Sequence, residues 1–176
     1  MLILIFGIFV TFIAIIFIIT GITNILTLIP YVPTKHEYIK NVLKNLKLKT
    51  KNQTLYDLGC GDSRVLFIAE SLGFKAIGYE NSLAPFLYGY IKKSLIKSKI
   101  DIKFQSFFKA NLKKADIIFV YLLPFIFTRL APKIKKECRK GTKIISIGFQ
   151  IPTLNLIKFR KRNEEKRWPS VYYYEI

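Results

Sequence analysis

The stretch Thr54-Leu-Tyr-Asp-Leu-Gly-Cys-Gly-Asp-Ser-Arg64, answered by Ala76-Ile-Gly-Tyr-Glu80, constrains the fold of this chain more than any other. An apolar run ends in Asp57, breaks at Gly59-Cys-Gly61 and opens into a segment with helical spacing. A second apolar run ends in an acid, Glu80. A strand–loop–helix–strand unit of this kind cradles a nucleoside: the glycines let backbone approach the ligand, and the acid ending the second strand takes the ribose hydroxyls. The dinucleotide fingerprint wants a third glycine three residues after the second. Arg64 stands there instead, and its side chain does not favour a pyrophosphate lying on the helix N-terminus. In its place, Asp57 precedes Leu58-Gly59.

The rest of the soluble part alternates in the same manner. Helical spacing runs over residues 36–48, with Thr34 as N-cap, and over 64–72, where Gly73 stops it. It returns over 83–97, after Ser82 with Pro85 in the first turn, and over 125–138, where Pro132 predicts a break. Strand-like runs cover 54–58, 75–79, 100–107, 115–121 and 142–149. Segments 154–160 and 171–176 predict a closing hairpin around a charged connection. Such alternation predicts an α/β, Rossmann-like, mostly parallel sheet with helices on both faces.

The first 34 residues carry no charged side chain, and residues 2–29 are apolar apart from Thr11, Thr20, Thr23, Asn24 and Thr27. As a helix this run would reach about 40 Å, more than the ~30 Å hydrocarbon core. It predicts one N-terminal transmembrane helix, with residues 1–29 as anchor and 30–176 as the soluble domain. A cleaved signal peptide fits poorly, for want of a basic residue before the run and a small-residue cleavage site after it. Lys35, Lys40, Lys44, Lys47, Lys49 and Lys51 all follow the helix. The positive-inside rule therefore predicts a single-pass protein with its N-terminus outside and the domain in the cytoplasm. There the two cysteines, Cys60 and Cys138, are expected to stay reduced. Thr20, Thr23, Asn24 and Thr27 share one helical stripe, either a seam for a partner helix or a polar end reaching the headgroups.

The formal charge of +18 therefore lies on residues 35–176. It admits RNA binding, adhesion to anionic lipid, or a codon bias toward Lys, Ile and Asn. Given an anchor, the lipid bilayer is the partner that needs no further assumption; nucleic acid is the less favoured one.

The pattern Asp57-x-Gly59-x-Gly61 with Glu80 resembles the class I, seven-strand, S-adenosylmethionine-dependent methyltransferases. Pro30-Tyr-Val-Pro-Thr34 before a helix, and Val120-Tyr-Leu-Leu-Pro124, narrow the resemblance to the small, single-span, membrane-anchored protein-lysine methyltransferases. Mitochondrial members of that subgroup modify the ATP synthase c-subunit and the adenine nucleotide translocase. The resemblance implies S-adenosyl-L-methionine as cofactor and a protein substrate, expected to be membrane-associated. It implies a cofactor loop of Gly59, Cys60 and Gly61, with Asp57 orienting the loop and the methionine amino group. Glu80, followed by Asn81, would serve the ribose, and Thr34 the methionine end. Tyr121, Leu122, Leu123 and Pro124 would line the acceptor site. The acid that commonly meets adenine is missing, so Gln105 or Ser106 would substitute.

Plainer readings stand beside these. Cys60 reads as a small loop residue, His36 as a surface residue, Arg64 as a partner for Asp62, and residues 158–167 as a solvated basic loop. There is no metal-ligand cluster and no persuasive nucleophile–base arrangement. A lysine acceptor would lose its proton in an apolar, cationic environment, with no general base in view. RNA or lipid methylation, or a non-catalytic cofactor-binding adaptor, are the competing functions.

Overall fold

The computed structural model describes residues 1–27, 35–46 and 53–176. Helix α1, Leu2–Thr27, is 26 residues long, and its segment Leu2–Ile19 has a mean hydropathy of 3.3 with none of it buried. The Pro-x-Val-Pro element, Thr34 and the lysines at 47, 49 and 51 lie outside the described residues, as do the side chains of Thr20, Thr23, Asn24 and Thr27.

Helix α2, His36–Lys44, ends earlier than the spacing predicted, at an Asn45 whose amide closes the last turn, and its N-cap is Lys35. His36 is exposed. Then follow β1 (Thr54–Leu58), α3 (Arg64–Ser71), β2 (Lys75–Glu80), α4 (Leu83–Leu95) and β3 (Asp101–Phe104). The chain closes with β4 (Ile117–Val120), α5 (Phe127–Glu137), β5 (Lys143–Ile147), β6 (Leu156–Arg160) and β7 (Val171–Glu175). The sheet has seven strands in the order β3-β2-β1-β4-β5-β7-β6. Strands β1 to β5 pair in parallel, and β7 runs antiparallel between β5 and β6. This is the expected α/β architecture, with the hairpin closing it by insertion of its second strand.

Alternation along the strands sorts the core into two layers. Leu55, Phe119 and Ile145 face one side, where Tyr38, Ile39 and Val42 of α2 and Val65, Leu66 and Ile68 of α3 cover them. Tyr56, Leu58, Ile118, Val120 and Ile144 face the other, against Phe127, Leu130, Ala131 and Ile134 of α5. Each of the Val, Leu, Ile and Phe side chains among them contributes about 1.5–3 kcal/mol when fully buried.

Two expected elements differ. The strand predicted to 107 stops at Phe104, because the chain turns at Ser106 into a short 3-10 turn, Phe107–Lys109, that sinks Phe107 into the second layer. The break at Pro132 does not occur: α5 runs through it. Proline there removes one helical N–H, and the burial of Leu130, Ala131 and Ile134 around it holds the helix together.

Candidate active site

The parallel pairing sets Asp57 in the middle of the sheet, opposite Gly78 on β2 and Phe119 on β4. After Leu58 the chain turns up over β2. The amides of Gly59 and Cys60 both donate to the Tyr79 carbonyl, at 2.9 and 3.1 Å. The turn needs left-handed backbone at Gly59 (φ 87°), Gly61 (φ 53°) and Ser63 (φ 65°), conformations that favour glycine. Room is also limiting: a Cβ on Gly59 would stand 3.2 Å from Leu122, and one on Gly78 would strike Leu66 and Cys60 at 2.5 and 2.6 Å. Cys60 is therefore packed inward over Gly78. Burial, seconded by the charges of Asp57 and Glu80, pushes its thiol well above the ordinary range, as suits a space-filling residue.

Glu80, at the end of β2, holds the loop in place. Its Oε2 accepts the Gly61 amide at 2.7 Å, and its Oε1 accepts the amides of Asn81 and Ser82 at 2.8 and 2.7 Å. Its carbonyl takes the Gln105 amide at 2.9 Å, so Gln105 and Ser106, both half-buried, come beside Glu80. Among the described residues Asp57 is the only buried carboxylate. Burial first, then the charges of Glu80 and Asp62, push its carboxyl well above the ordinary range. Asp62 pairs with Arg64 at 2.6 Å, as the sequence suggested.

Across the sheet, β4 ends in Tyr121-Leu-Leu-Pro124. Leu122 is buried under Gly59, Tyr121 and Leu123 are half-buried, and Pro124 is exposed at the start of a 3-10 turn. Tyr121 rests on Gly148, whose added Cβ would lie 3.2 Å from its ring. Burial raises the Tyr121 hydroxyl above its ordinary range, so the phenol stays neutral. Gly148 escapes a motif reading, yet a glycine at a strand end with φ 80° is the available signal for it. The loop after β5 is held by the Ser146 hydroxyl donating to the Phe149 carbonyl at 2.7 Å.

Asp57, the glycine loop, Glu80, Asn81, Gln105 and Ser106 thus gather at the C-terminal ends of β1 to β3, and Tyr121 to Pro124 at the end of the neighbouring β4. Thr34 lies outside the described residues. The basic stretch at 158–167 is not simply solvated. Arg160 lies against the rings of Tyr38 and Trp168 at 5.5 and 5.8 Å, and Tyr38 donates to the Pro169 carbonyl at 2.9 Å.

A buried carboxylate with no countercharge among the described residues, beside a second carboxylate fixed by three amides, suits a ligand that brings both cationic groups and hydroxyl donors. S-adenosylmethionine carries an ammonium, a sulfonium and two ribose hydroxyls, and the site fits it. Comparison with known proteins agrees. Residues 57–158 match the family described as ANTKMT methyltransferase domain. A protein-lysine N-methyltransferase of Saccharolobus islandicus (strain REY15A) is 30% identical over 152 residues, covering 84% of this chain and 93% of that protein. The ATP synthase c-subunit lysine N-methyltransferase of Xenopus laevis is 28% identical over 127 residues, which are 70% of this chain and only 54% of that protein. The fold is shared by an RNA methyltransferase from Salinibacter ruber, solved with S-adenosyl-L-homocysteine. That likeness has a TM-score of 0.74 at 21% identity, over 82% of this chain and 94% of that one. The chain belongs to the ANTKMT methyltransferase-domain family and is an S-adenosylmethionine-dependent methyltransferase.

Proposed function

We propose that this enzyme is a single-pass, membrane-anchored methyltransferase that modifies lysine in a membrane-associated protein. The observation that carries this reading is one chain joining the Asp57–Glu80 cofactor loop to a 26-residue apolar helix. The relatives named as lysine methyltransferases support the acceptor class, among them an adenine nucleotide translocase lysine N-methyltransferase of Mus musculus, 26% identical over 144 residues. The lysines that follow the anchor put the domain on the cytoplasmic side.

In this reading Asp57 offsets the methionine ammonium, and Gly59 and Gly61 pass their backbone beneath the nucleoside. Thr34 serves the methionine end, and Gln105 or Ser106 meets adenine. Glu80 has roughly four acceptor positions, and amides occupy three of them. It takes one ribose hydroxyl directly and the second as the exposed Asn81 amide turns to water. The cofactor supplies a methyl group on a cationic sulfur, already electrophilic. What remains for the protein is positioning and delivery of a neutral amine. Tyr121 and Leu123 give the acceptor an apolar lining, which lowers a lysine pKa by desolvation. With the Tyr121 phenol neutral, the amine proton passes to water.

The test is transfer of tritiated methyl from S-adenosylmethionine into a host extract separated into membrane protein, soluble protein, RNA and lipid. Gly59→Arg, whose side chain has no room above Leu122 and whose backbone needs φ 87°, serves as blank. Label on lysine of a membrane-protein band, absent from the blank, is the expected result. Label confined to RNA or lipid overturns the acceptor class, and none at all with cofactor still bound favours an adaptor.

A further inference from the structure

Helix α4 has an outer face that the fold leaves uncovered. Gly89 is its only fully buried residue, and Phe86 turns inward, its ring tilted against that of Phe104 at 5.0 Å between centroids. Tyr88, Ile91 and Leu95 follow one another at helical spacing on the outside, 57%, 57% and 77% exposed, and Ile96 continues the stripe at 57%. An aromatic and three aliphatic side chains in a row are more apolar surface than a solvated helix presents. Past the C-terminal end of the stripe stand Lys97 and Lys99, both exposed. The acids nearest to it are engaged: Glu70 accepts the Lys99 amide and the Ser98 hydroxyl, and Asp101 faces Lys103 at 3.7 Å. Helix α1 lies against α4, which sets α4 beside the candidate span.

We infer that the outer face of α4 docks onto an anionic lipid surface, with Tyr88, Ile91, Leu95 and Ile96 entering the headgroup–acyl boundary and Lys97 and Lys99 meeting lipid phosphates. Apolar residues along one side with lysines at the edge are the composition of an interfacial helix, and the net charge of +18 favours an anionic partner. The inference rests on the membrane-anchored reading and deepens it. Because α4 starts directly after Glu80 and Ser82, docking it brings the cofactor loop to headgroup level. The acceptor lysines would then be those at the membrane interface, and lysines far from the bilayer would be poor substrates.

The test uses the full chain reconstituted into vesicles of phosphatidylcholine, with or without phosphatidylglycerol, whose acyl chains are brominated near the carbonyl. Leu95→Trp places a fluorophore on the stripe, and Lys136→Trp on the exposed side of α5 is the control; quenching is read above that of the native Trp168. The expected result is quenching of Leu95→Trp by about twofold or more in anionic vesicles, weakened by salt, with little for Lys136→Trp. Leu95→Glu should abolish docking, read by loss of protection of Lys97 and Lys99 from an amine-reactive label, and leave S-adenosylhomocysteine affinity unchanged. A chain that floats with the vesicles while Leu95→Trp stays unquenched keeps its anchor and overturns the docking. A chain that does not float overturns the anchor reading and the docking together. A blue shift that grows with protein concentration, without quenching by bromine, makes the occupant a second copy and also overturns the inference.

Discussion

Glu80→Gln separates two jobs that one carboxylate performs. Three amides converge on it at 2.7–2.8 Å, and those of Gly61 and Ser82 belong to buried residues. Glutamine has one acceptor oxygen. Turned toward Asn81 and Ser82, it leaves its NH2 facing the Gly61 N–H, and a buried donor loses its partner at about 1–3 kcal/mol. The two remaining bonds become neutral rather than charge-assisted, which costs roughly 0.5–1 kcal/mol in all. The ligand-free protein should therefore lose about 1.5–4 kcal/mol, a fall in melting temperature of about 3–15 °C. Affinity for S-adenosylhomocysteine should fall in addition, because the ribose meets a weaker acceptor. Thermal unfolding of the detergent-solubilised chain followed through Trp168, paired with calorimetric titration, reads both effects. An unchanged melting temperature with reduced affinity would refute the claim that Glu80 clamps the loop, and leave it as a ribose acceptor alone.

Three other substitutions probe the remainder of the site and its support. Asp57 holds a proton in the fold at pH values where the unfolded chain has lost it, because its folded pKa is raised. Stability of the ligand-free protein should thus fall as pH rises from the unfolded aspartate range, near 4, toward the folded pKa. Asp57→Asn should remove that slope, raise the melting temperature at neutral pH, and weaken S-adenosylhomocysteine binding about 10–150-fold, the worth of one charge-assisted bond; at pH values below the raised folded pKa, wild-type binding should release a proton, seen as a buffer-dependent enthalpy. Gly148→Ala, at φ 80° and 3.2 Å from Tyr121, should cost about 1–2 kcal/mol of stability and slow methyl transfer several-fold, with cofactor affinity retained. Arg160→Ala should cost about 1–3 kcal/mol in thermal melting by emptying the slot between Tyr38 and Trp168.

How far the sequence could be read depends on how local each cause is. The unit from Thr54 to Glu80 was legible nearly to the residue, since short apolar runs ending in an acid, a glycine turn and a helix stop are all written within a short window. Pro132 misled because its local cost is outweighed by side chains that α5 buries against the sheet. Strand β3 came out short for a similar reason: Phe107 is drawn into the layer under α5, a demand set by distant residues. Arg160 has no local sign of its role, as Tyr38 and the Trp168 loop reach it only through the fold. Glu80 was recognisable as the acid at a strand end, yet its three amide donors come from backbone, which carries no letter in the sequence.

The acids of this chain also bear on what its basicity means. With 29 basic and 11 acidic residues, the scarce carboxylates sit where backbone donors need acceptors. Glu80 takes Gly61, Asn81 and Ser82; Asp116 takes Thr54; Glu137 takes Leu112; Glu70 takes Lys99. The excess lysines make few such contacts and set the net charge. A field of that sign repels a lysine acceptor in solution, though salt confines it to about 8–10 Å. At the cofactor loop Glu80, joined by Asp57 once a cationic cofactor draws off its proton, offsets it locally, which favours such a cofactor but does little to steer a distant substrate. If the lysines instead meet an anionic bilayer, the repulsion is neutralised where the substrate lies, and the encounter becomes a search in two dimensions. The basicity, which also admits nucleic acid, is then accounted for by the same surface that the proposed anchor and α4 would share.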